Sequence, residues 1–290
     1  MKKKFNLWPL VFIGPHAVLF LLFFLIPAIF GIVISLTDWD LYSTPIFVGL
    51  ENFKTILFDT SSIYHTQFFN GAKNTFLFVI FCVPFCVIVP LLLAVALSVK
   101  PKGHRLFQSL LYVPTLFAIS AVMIIWSFQL SISYGPFAEW FGLDINLTGT
   151  QPWAWIALVV VTVWWSAGGN LIIYVAALNN IPADQLEAAK LDGAGSVVRF
   201  FRIVLPNMKY QMLFTTVMTT IAQFNIYGQP LMLTAGGPNN STRVLMMYIQ
   251  QNAFGSGISV AGMASAMAVL LGLVIMAVSS VQFFLFRDKK

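Results

Sequence analysis

Six long runs of this sequence contain no Asp, Glu, Lys or Arg, and each is strongly apolar. A bilayer core about 30 Å thick is crossed by about 20 helical residues, so each run holds one span. None of the runs alternates as a transmembrane β-strand does, and a helix satisfies its own backbone groups. The sequence therefore predicts an all-α integral membrane fold in one domain, 1–290. Its predicted spans are about 11–36, 74–99, 108–130, 153–178, 208–233 and 261–286.

The composition supports a membrane location. Hydrophobic residues make up 59% of the chain and charged residues only 9%, whereas soluble domains carry about 25% charged residues. So few charges would not cover a soluble protein of this size, which argues against a cytosolic enzyme or a nucleic-acid binder. Cys82 and Cys86 lie four residues apart in one apolar run. We expect them to pack on one helical face and not to form a disulfide framework.

The positive charges indicate the orientation in the membrane. With six spans, 13 of the 16 Lys and Arg residues fall on the side of the two termini, and only Lys54, Lys73 and Arg243 fall on the other. Cytoplasmic loops carry such an excess, so both termini are predicted to be cytoplasmic. Three lysines precede the first run, as in a secretory signal, but the run is too long for one. We expect an uncleaved first span.

The sequence lacks the usual signatures of catalysis and of self-powered transport. It contains no G-x-x-x-x-G-K-[ST] phosphate loop and no H-E-x-x-H motif, and its three histidines are dispersed. No Asp or Glu falls inside a predicted span, although proton- or sodium-coupled transporters usually place an acid there. We therefore expect no enzymatic activity, metal or cofactor in this chain, and an energy source outside it.

The longest cytoplasmic connection, 179–206, predicts two short helices separated by a break. Asn180 is a candidate helix cap, Pro182 suits the first turn, and Gly193 suits the turn that follows. Pro206 is expected to end the second helix before the fifth span. The residues alone leave two interpretations open. The connection either inserts a surface of small residues with one acid into a partner, or lies on the membrane as an amphipathic helix.

The same connection resembles the EAA loop of ABC-importer permeases. The matching positions, at the family's spacing and without a gap, are Glu187-Ala188-Ala189, Gly193, Ile203 and Leu205-Pro206. Further matching segments are Thr37-Asp38-Trp39, Phe47 to Phe53, Asn74-Thr75, Tyr112-Val113-Pro114, Thr234, Gly236-Gly237-Pro238 and Thr242. Essentially the whole chain is thus similar to MalF/UgpA-type permeases of carbohydrate importers. It lacks the large insertion and extra spans of MalF and resembles the plain sugar and glycerol-phosphate members more.

This resemblance implies a type I ABC importer permease fold with cytoplasmic EAA coupling helices. It also implies a set of partners in a bacterial cell membrane: a second homologous permease subunit, an ATPase dimer that carries ATP and Mg, an extracytoplasmic solute-binding protein, membrane lipid and a sugar. No nucleic acid is expected. The residues that the resemblance assigns to ATPase coupling are Glu187, Ala188, Ala189, Asp192 and Gly193. Glu187 would make a charge-assisted contact with the ATPase, and Arg199 and Arg202 suit lipid phosphates.

The fifth span carries a stripe of neutral polar residues. Thr215, Thr219 and Gln223 recur at i, i+4 and i+8, on one helical face. Hydroxyl and amide groups suit an uncharged sugar, although threonines in spans often bond their own helix backbone. In maltose-type relatives the sugar is contacted from the fourth and fifth spans. The resemblance carries this role to Trp165, Ser166, Gly169, Thr219, Gln223 and Ile226, and to Ala222, although Ala222 and Ile226 lack the polar character.

Other readings stay open at this point. Within the importer family, the substrate is a sugar or, as the alternative, glycerol 3-phosphate or a related polar solute. From a different class, a self-sufficient secondary transporter would move its solute without a partner. The outer loop 236–240 either meets a binding protein or forms a simple turn.

Overall fold

The computed structural model describes residues 8–142, 144–255 and 260–286, which are mostly helical. The predicted cytoplasmic cations at Lys2 to Lys4 and at Arg287, Lys289 and Lys290 lie outside these residues. The chain divides into two compact units. The first unit is Met1–Phe68 with Tyr248–Gly272, and the second unit is Phe69–Met247 with Leu273–Lys290.

Fifteen helices and one two-stranded hairpin follow each other in the described part of the chain. Their bounds are α1 Trp8–Phe20, α2 Ile26–Ser35, β1 Thr37–Asp38, β2 Ile46–Phe47, α3 Glu51–Phe58, α4 Ile63–Ser98, α5 His104–Leu116, α6 Ile119–Gln129, α7 Pro136–Phe141, α8 Trp153–Asn179, α9 Ala183–Leu191, α10 Ser196–Arg199, α11 Leu205–Asn207, α12 Lys209–Phe224, α13 Gly228–Leu233, α14 Leu245–Phe254 and α15 Ala261–Phe286. Two π-helical turns, Leu21–Leu25 and Phe200–Val204, join α1 to α2 and α10 to α11.

Within the described residues, four helices are long and apolar enough to cross a membrane. They are Val11–Ser35, Ile63–Ser98, Trp153–Asn179 and Ala261–Leu285, at the first, second, fourth and sixth predicted spans. The fifth predicted span is divided between α12, with 16 residues, and the short α13 after a break at 225–227. The structure therefore supports a helical membrane protein, and the count of six spans stays a prediction.

The third predicted span is bent. Helices α5 and α6 meet at 99°, because Phe117 and Ala118 take extended backbone angles between them. The break leaves backbone groups without helical hydrogen-bond partners. Trp165 provides a partner for one of them, because its indole Nε1 donates to Phe117 O at 3.2 Å. The continuous helix expected over 108–130 is thus replaced by two helices with a neighbouring side chain bonded at the bend.

In the first unit, one buried amide joins three neighbouring elements. Strands β1 and β2 pair antiparallel, with Thr37 opposite Phe47. Asn52, at the start of α3 and 7% exposed, donates to Ser35 O at 3.0 Å and to Thr37 O at 2.9 Å. These bonds fix α3 to the end of α2 and to the hairpin. Gly262 of α15 packs on the same place, where a Cβ would overlap Thr37 O.

The turn of this hairpin is set by a carboxylate. Asp40 accepts hydrogen bonds from Tyr42 N at 2.9 Å, Ser43 N at 2.7 Å and Ser43 Oγ at 2.7 Å. The bonds from Ser43, followed by that from Tyr42, lower the pKa of the Asp40 carboxyl to about 2. Asp40 is therefore charged at any physiological pH, and its interactions stay local to the turn.

The second unit contains a continuous apolar core. Its buried side chains are Phe78, Cys82, Cys86, Val122, Met123, Leu130, Ala157, Leu158, Val161, Ile226, Leu233, Val244 and Met247. The two cysteines are free thiols on one buried face of α4, with their Sγ atoms 3.5 Å apart. The prediction that they pack together on one helical face is confirmed.

We predict that Gly262→Ala destabilises the protein and that Gly272→Ala, in the same helix, does not. A Cβ at Gly262 would overlap a backbone carbonyl that cannot rotate away, whereas nothing lies within 4 Å of a Cβ at Gly272. Crowding of this kind costs about 1–3 kcal/mol, while glycine to alanine in an open helix gains up to about 1 kcal/mol. The free energy of unfolding in mixed micelles measures both, and equal effects would contradict the packing at Thr37.

Candidate substrate path and coupling segment

Asn170 on α8 joins three helices of the second unit. Its Nδ2 donates to Cys86 O of α4 at 2.9 Å and to Thr219 Oγ1 of α12 at 3.0 Å. Cys86 O lacks its ordinary helical partner because position 90, four residues on, is a proline without an N–H. Asn170 therefore supplies the hydrogen bond that Pro90 removes, and it holds α12 with its second N–H.

The polar stripe of α12 faces a matching stripe of α8. One helical turn beyond the Asn170–Thr219 pair, Tyr174 Oη and Thr215 Oγ1 lie 2.6 Å apart. Because the helices run antiparallel, the same register places Gln223 at the level of Ser166. Sequence reasoning missed Asn170 and Tyr174. The sequence does contain a pattern that indicates them: Ser166, Asn170 and Tyr174 repeat at i, i+4 and i+8, as the residues of the α12 stripe do.

Of the four expected substrate-path residues in the fifth predicted span, Ala222 is exposed and the other three are buried. Thr219, Gln223 and Ile226 are 8%, 6% and 3% exposed. Thr219 Oγ1 accepts a hydrogen bond from Asn170, and Ile226 belongs to the apolar core. The Gln223 side-chain amide forms no hydrogen bond with the described residues, so among the three it offers both a donor and an acceptor to a further group.

The expected residues of α8 have different surroundings. Ser166 Oγ donates to Thr162 O at 2.7 Å, in its own helix, and lies 3.5 Å from Cys86 Sγ. Trp165 is bonded at the α5–α6 bend. No atom lies within 4 Å of a Cβ at Gly169, whereas a Cβ at Gly168 would lie 2.6 Å from Thr115 Oγ1. Gly168 is thus the close contact between α5 and α8, and Gly169 faces open space.

Some polar groups of α12 bond their own helix, as the sequence left open. Thr215 Oγ1 also donates toward Gln211 O at 3.0 Å, and Thr220 Oγ1 donates to Thr216 O at 2.8 Å. Thr220 Oγ1 accepts from Gln282 Nε2 at 2.8 Å as well. Polar side chains of α12 therefore form hydrogen bonds both within the helix and to other helices.

The expected coupling segment is a helix, a tight turn and a second helical stretch. Helix α9 begins with Pro182 at its N-cap and without a side-chain cap, so the cap expected from Asn180 is wrong: α8 ends at Asn179, and Asn180 N bonds back to Ala177 O. The turn lies at Gly193, whose φ is +73°. Ala194 N donates to Ala189 O at 2.9 Å and Gly193 N to Lys190 O at 3.1 Å, the paired bonds of a Schellman ending.

Much of this segment's surface is uncovered. Glu187, Ala188, Asp192 and Gly193 are exposed, Ala189 is half-buried, and the apolar Leu191 is 90% exposed. Asn207 Nδ2 donates to Gln185 Oε1 at 3.1 Å and so ties the second stretch to α9. The acid Glu187 and the large apolar Leu191 are therefore both exposed on α9, which the Asn207–Gln185 hydrogen bond connects to the second stretch.

The loop after α13 is a turn that is hydrogen-bonded to α4. Asn74 Nδ2 donates to Asn240 O at 2.8 Å and to Arg243 O at 2.9 Å, and Thr75 Oγ1 accepts from Leu245 N at 3.0 Å. Thr242 Oγ1 closes the loop by donating to Gly237 O at 2.7 Å. A turn is therefore present at 236–240, and contact of this loop with a binding protein stays a prediction.

Apolar helices joined by neutral polar contacts define this chain as a multi-pass membrane protein. Its fold resembles that of a chain in the crystal structure of a bacterial ABC transporter involved in the import of the acidic polysaccharide alginate. The TM-score is 0.78 at 22% identity, covering 98% of this chain and 97% of that chain. A second crystal structure, of a bacterial alginate ABC transporter in complex with an alginate pentasaccharide-bound periplasmic protein, gives the same TM-score at 23% identity, covering 95% and 93%.

Sequence comparison agrees with the fold. The family model described as "Binding-protein-dependent transport system inner membrane component" matches residues 56–290. The probable starch degradation products transport system permease protein AmyD of Thermoanaerobacterium thermosulfurigenes is 32% identical, covering 100% of this chain and 98% of that protein. The arabinooligosaccharides transport system permease protein AraP of Halalkalibacterium halodurans is 32% identical, covering 96% and 87%. The sn-glycerol-3-phosphate transport system permease protein UgpA of Escherichia coli is 31% identical, covering 95% and 92%.

The chain therefore belongs to the family of binding-protein-dependent transport system inner membrane components, which are transport permeases and not enzymes.

We predict that Asn170→Ala destabilises the protein by about 1–2 kcal/mol, because it removes two interhelical bonds in the apolar interior. Pro90→Ala restores the missing N–H to Cys86 O, so Pro90→Ala/Asn170→Ala is expected to lose less than the sum of the single variants. A double-mutant cycle of the free energy of unfolding measures this coupling. Additive costs would show that Asn170 does not substitute for the lost helical bond.

Proposed function

We propose that this chain is a membrane-spanning permease subunit of an ATP-driven importer and forms half of the translocation path for a mono- or oligosaccharide. ATP hydrolysis takes place on separate ATPase subunits, to which residues 179–206 couple. A second, homologous permease subunit and an extracytoplasmic solute-binding protein complete the importer in a bacterial cell membrane. Both termini of this chain are then cytoplasmic.

The observation that supports a sugar as the substrate is the line of neutral polar side chains between α8 and α12. Hydroxyl and amide groups are the partners that sugar hydroxyls need, and Gln223 is the member with both a donor and an acceptor to give. The relatives named for starch degradation products and arabinooligosaccharides agree with an uncharged substrate.

Glycerol 3-phosphate is the second candidate, because of the relative named for it. A bound phosphate favours a cation or a charge-assisted donor, and no Lys or Arg lies in α8 or α12 beyond Lys209 at the first position of α12. The absence of a cation along the Asn170–Gln223 line favours an uncharged sugar.

The coupling proposal rests on α9 and its ending. A helix with an exposed acid, small residues and Leu191 offers an ATPase cleft both a charge and an apolar contact, and the bonds at Gly193 make the turn rigid. Asn207 connects the second stretch to α9, and α12 begins two residues later, at Lys209. A displacement of α9 would therefore be transmitted to α12 through only a few residues. The alternative, an amphipathic helix on the membrane, would need Glu187 to face the headgroups beside Leu191.

We predict that Glu187→Lys abolishes sugar-stimulated ATP hydrolysis, while Asp184→Lys, the same charge reversal on the first turn of α9, retains at least about half of it. Only Glu187 lies in the EAA segment, where a charge-assisted contact to the ATPase is proposed. The measurement is ATPase activity of the complex reconstituted with its binding protein across a panel of sugars, with membrane insertion checked by the yield of intact complex.

Two outcomes would contradict the proposal. Normal coupled uptake by Glu187→Lys would remove the coupling role from α9. Uptake by this chain alone in liposomes, without ATP or partners, would instead identify a secondary transporter.

We predict that Gln223→Ala raises the KM of transport about five- to twelvefold, since a lost hydrogen bond to an uncharged ligand costs about 1–1.5 kcal/mol. Asn225→Ala is the matched control, because the Asn225 amide is exposed and bonds Ile221 O of its own helix at 2.8 Å. Sugar uptake in vesicles containing the full complex gives both values. An unchanged KM and Vmax in Gln223→Ala would mean that the polar line is not the route.

A further inference from the structure

Two cavities follow each other between the same three helices of the second unit, α4, α5 and α8. The larger has a volume of about 760 Å³, and only apolar residues line it, among them Phe85 and Leu93 of α4, Leu110 of α5 and Trp164 of α8. The smaller has a volume of about 210 Å³ and lies where α4 and α8 end and α5 begins. Neither cavity involves the Asn170–Gln223 line.

The smaller cavity is cationic. Lys100, His104 and Arg105 line it together with the amides of Gln108 and Asn179. No Asp or Glu occurs in the sequence between Asp59 and Glu139, and neither Lys100 nor Arg105 is ion-paired within the described part of the chain. Positive charge without a carboxylate partner, surrounded by hydrogen-bond donors, is complementary to a phosphate group.

The two cavities are consecutive along the helices. The larger ends at Leu93 and Leu110, and the smaller begins at Ala94 and Gln108. At about 1.5 Å per residue, the distance along α4 from Ser98 to Phe85 is roughly 20 Å. This covers the depth of one leaflet, about half of the ~30 Å hydrocarbon core. A ligand with a charged head at the cations would thus extend its apolar part along the groove at the depth where acyl chains lie.

We propose that an anionic phospholipid binds here, with its phosphate at Lys100, His104 and Arg105 and an acyl chain in the apolar groove between α4, α5 and α8. Basic pockets between spans on the cytoplasmic side are suited to anionic headgroups, and the cation distribution assigns this end of the helices to the cytoplasm. A free phosphate would leave the groove empty, and an apolar helix from another subunit would leave the three basic side chains unused. A phospholipid accounts for both.

The test is native mass spectrometry of the full complex, delipidated in detergent and titrated with phosphatidylglycerol or phosphatidylcholine of the same chains. We expect preferential binding of phosphatidylglycerol. One removed cation is worth about fivefold in affinity, so Lys100→Gln/Arg105→Gln should weaken this binding roughly 25-fold. Lys102→Gln, in the same loop but outside the cavity lining, should leave it unchanged.

A second pair of variants tests the groove independently of charge. Leu110→Trp fills the larger cavity, whereas Leu106→Trp adds the same bulk one turn away, outside its lining. Both positions are exposed, at 56% and 64%, so neither change disturbs a packed core. We expect only Leu110→Trp to weaken phosphatidylglycerol binding, by about tenfold, roughly the transfer of two buried CH₂ groups.

Three results would overturn the proposal. Equal affinity for phosphatidylglycerol and phosphatidylcholine would remove the role of the cations. Displacement of the lipid by millimolar inorganic phosphate, with Leu110→Trp without effect, would indicate an anion pocket only. A structure of the complex with a helix of another subunit in the groove would show that the groove is part of the subunit interface and not a lipid site.

Discussion

A backbone carbonyl inside a membrane needs a hydrogen-bond partner, and the second unit is built around one that has lost its own. Pro90 leaves Cys86 O without its helical donor, and Asn170 provides the replacement. The same amide reaches Thr219, so α4, α8 and α12 are held at one point by a neutral side chain. Because an unsatisfied polar group is so costly in hydrocarbon, this contact restricts how those helices are placed.

The other contacts between helices follow the same rule. Tyr174 and Thr215 pair one turn away, and Trp165 donates to the carbonyl at the α5–α6 bend. Asn52 donates in the same way to the backbone of the hairpin, and Asn74 to the backbone of the loop after α13. All of these donors are uncharged. In the proposed importer, one set of neutral groups would therefore serve both packing and passage, and the partner subunits would supply the energy.

Charge is placed at the ends of the helices. The acid of α9 lies shortly after the long helix α8, and the cations of 100–105 lie between the end of α4 and the first turn of α5; in the proposed importer, water or headgroups would solvate them there. In the proposed importer, Glu187 faces an ATPase and Lys100 with Arg105 faces a phospholipid. Each contact would use a charge at the membrane boundary, where its desolvation is smaller than in the apolar interior.

The sequence by itself determined the class of the molecule, because apolar runs of membrane length have only one common solution in a bilayer. It also determined the Cys82–Cys86 face, the turn at Gly193 and the polar stripe of α12, since these depend on helical spacing or on a local backbone angle. Only the tertiary structure decided that the third predicted span is bent and that the fifth predicted span is interrupted. It alone decided that Gly168 is a helix contact while Gly169 is open. It alone also decided that Asn170 donates to the carbonyl that Pro90 leaves without a helical donor. These features depend on which helix lies opposite, and pairings between residues far apart in the chain cannot be deduced from the periodicity of either helix alone.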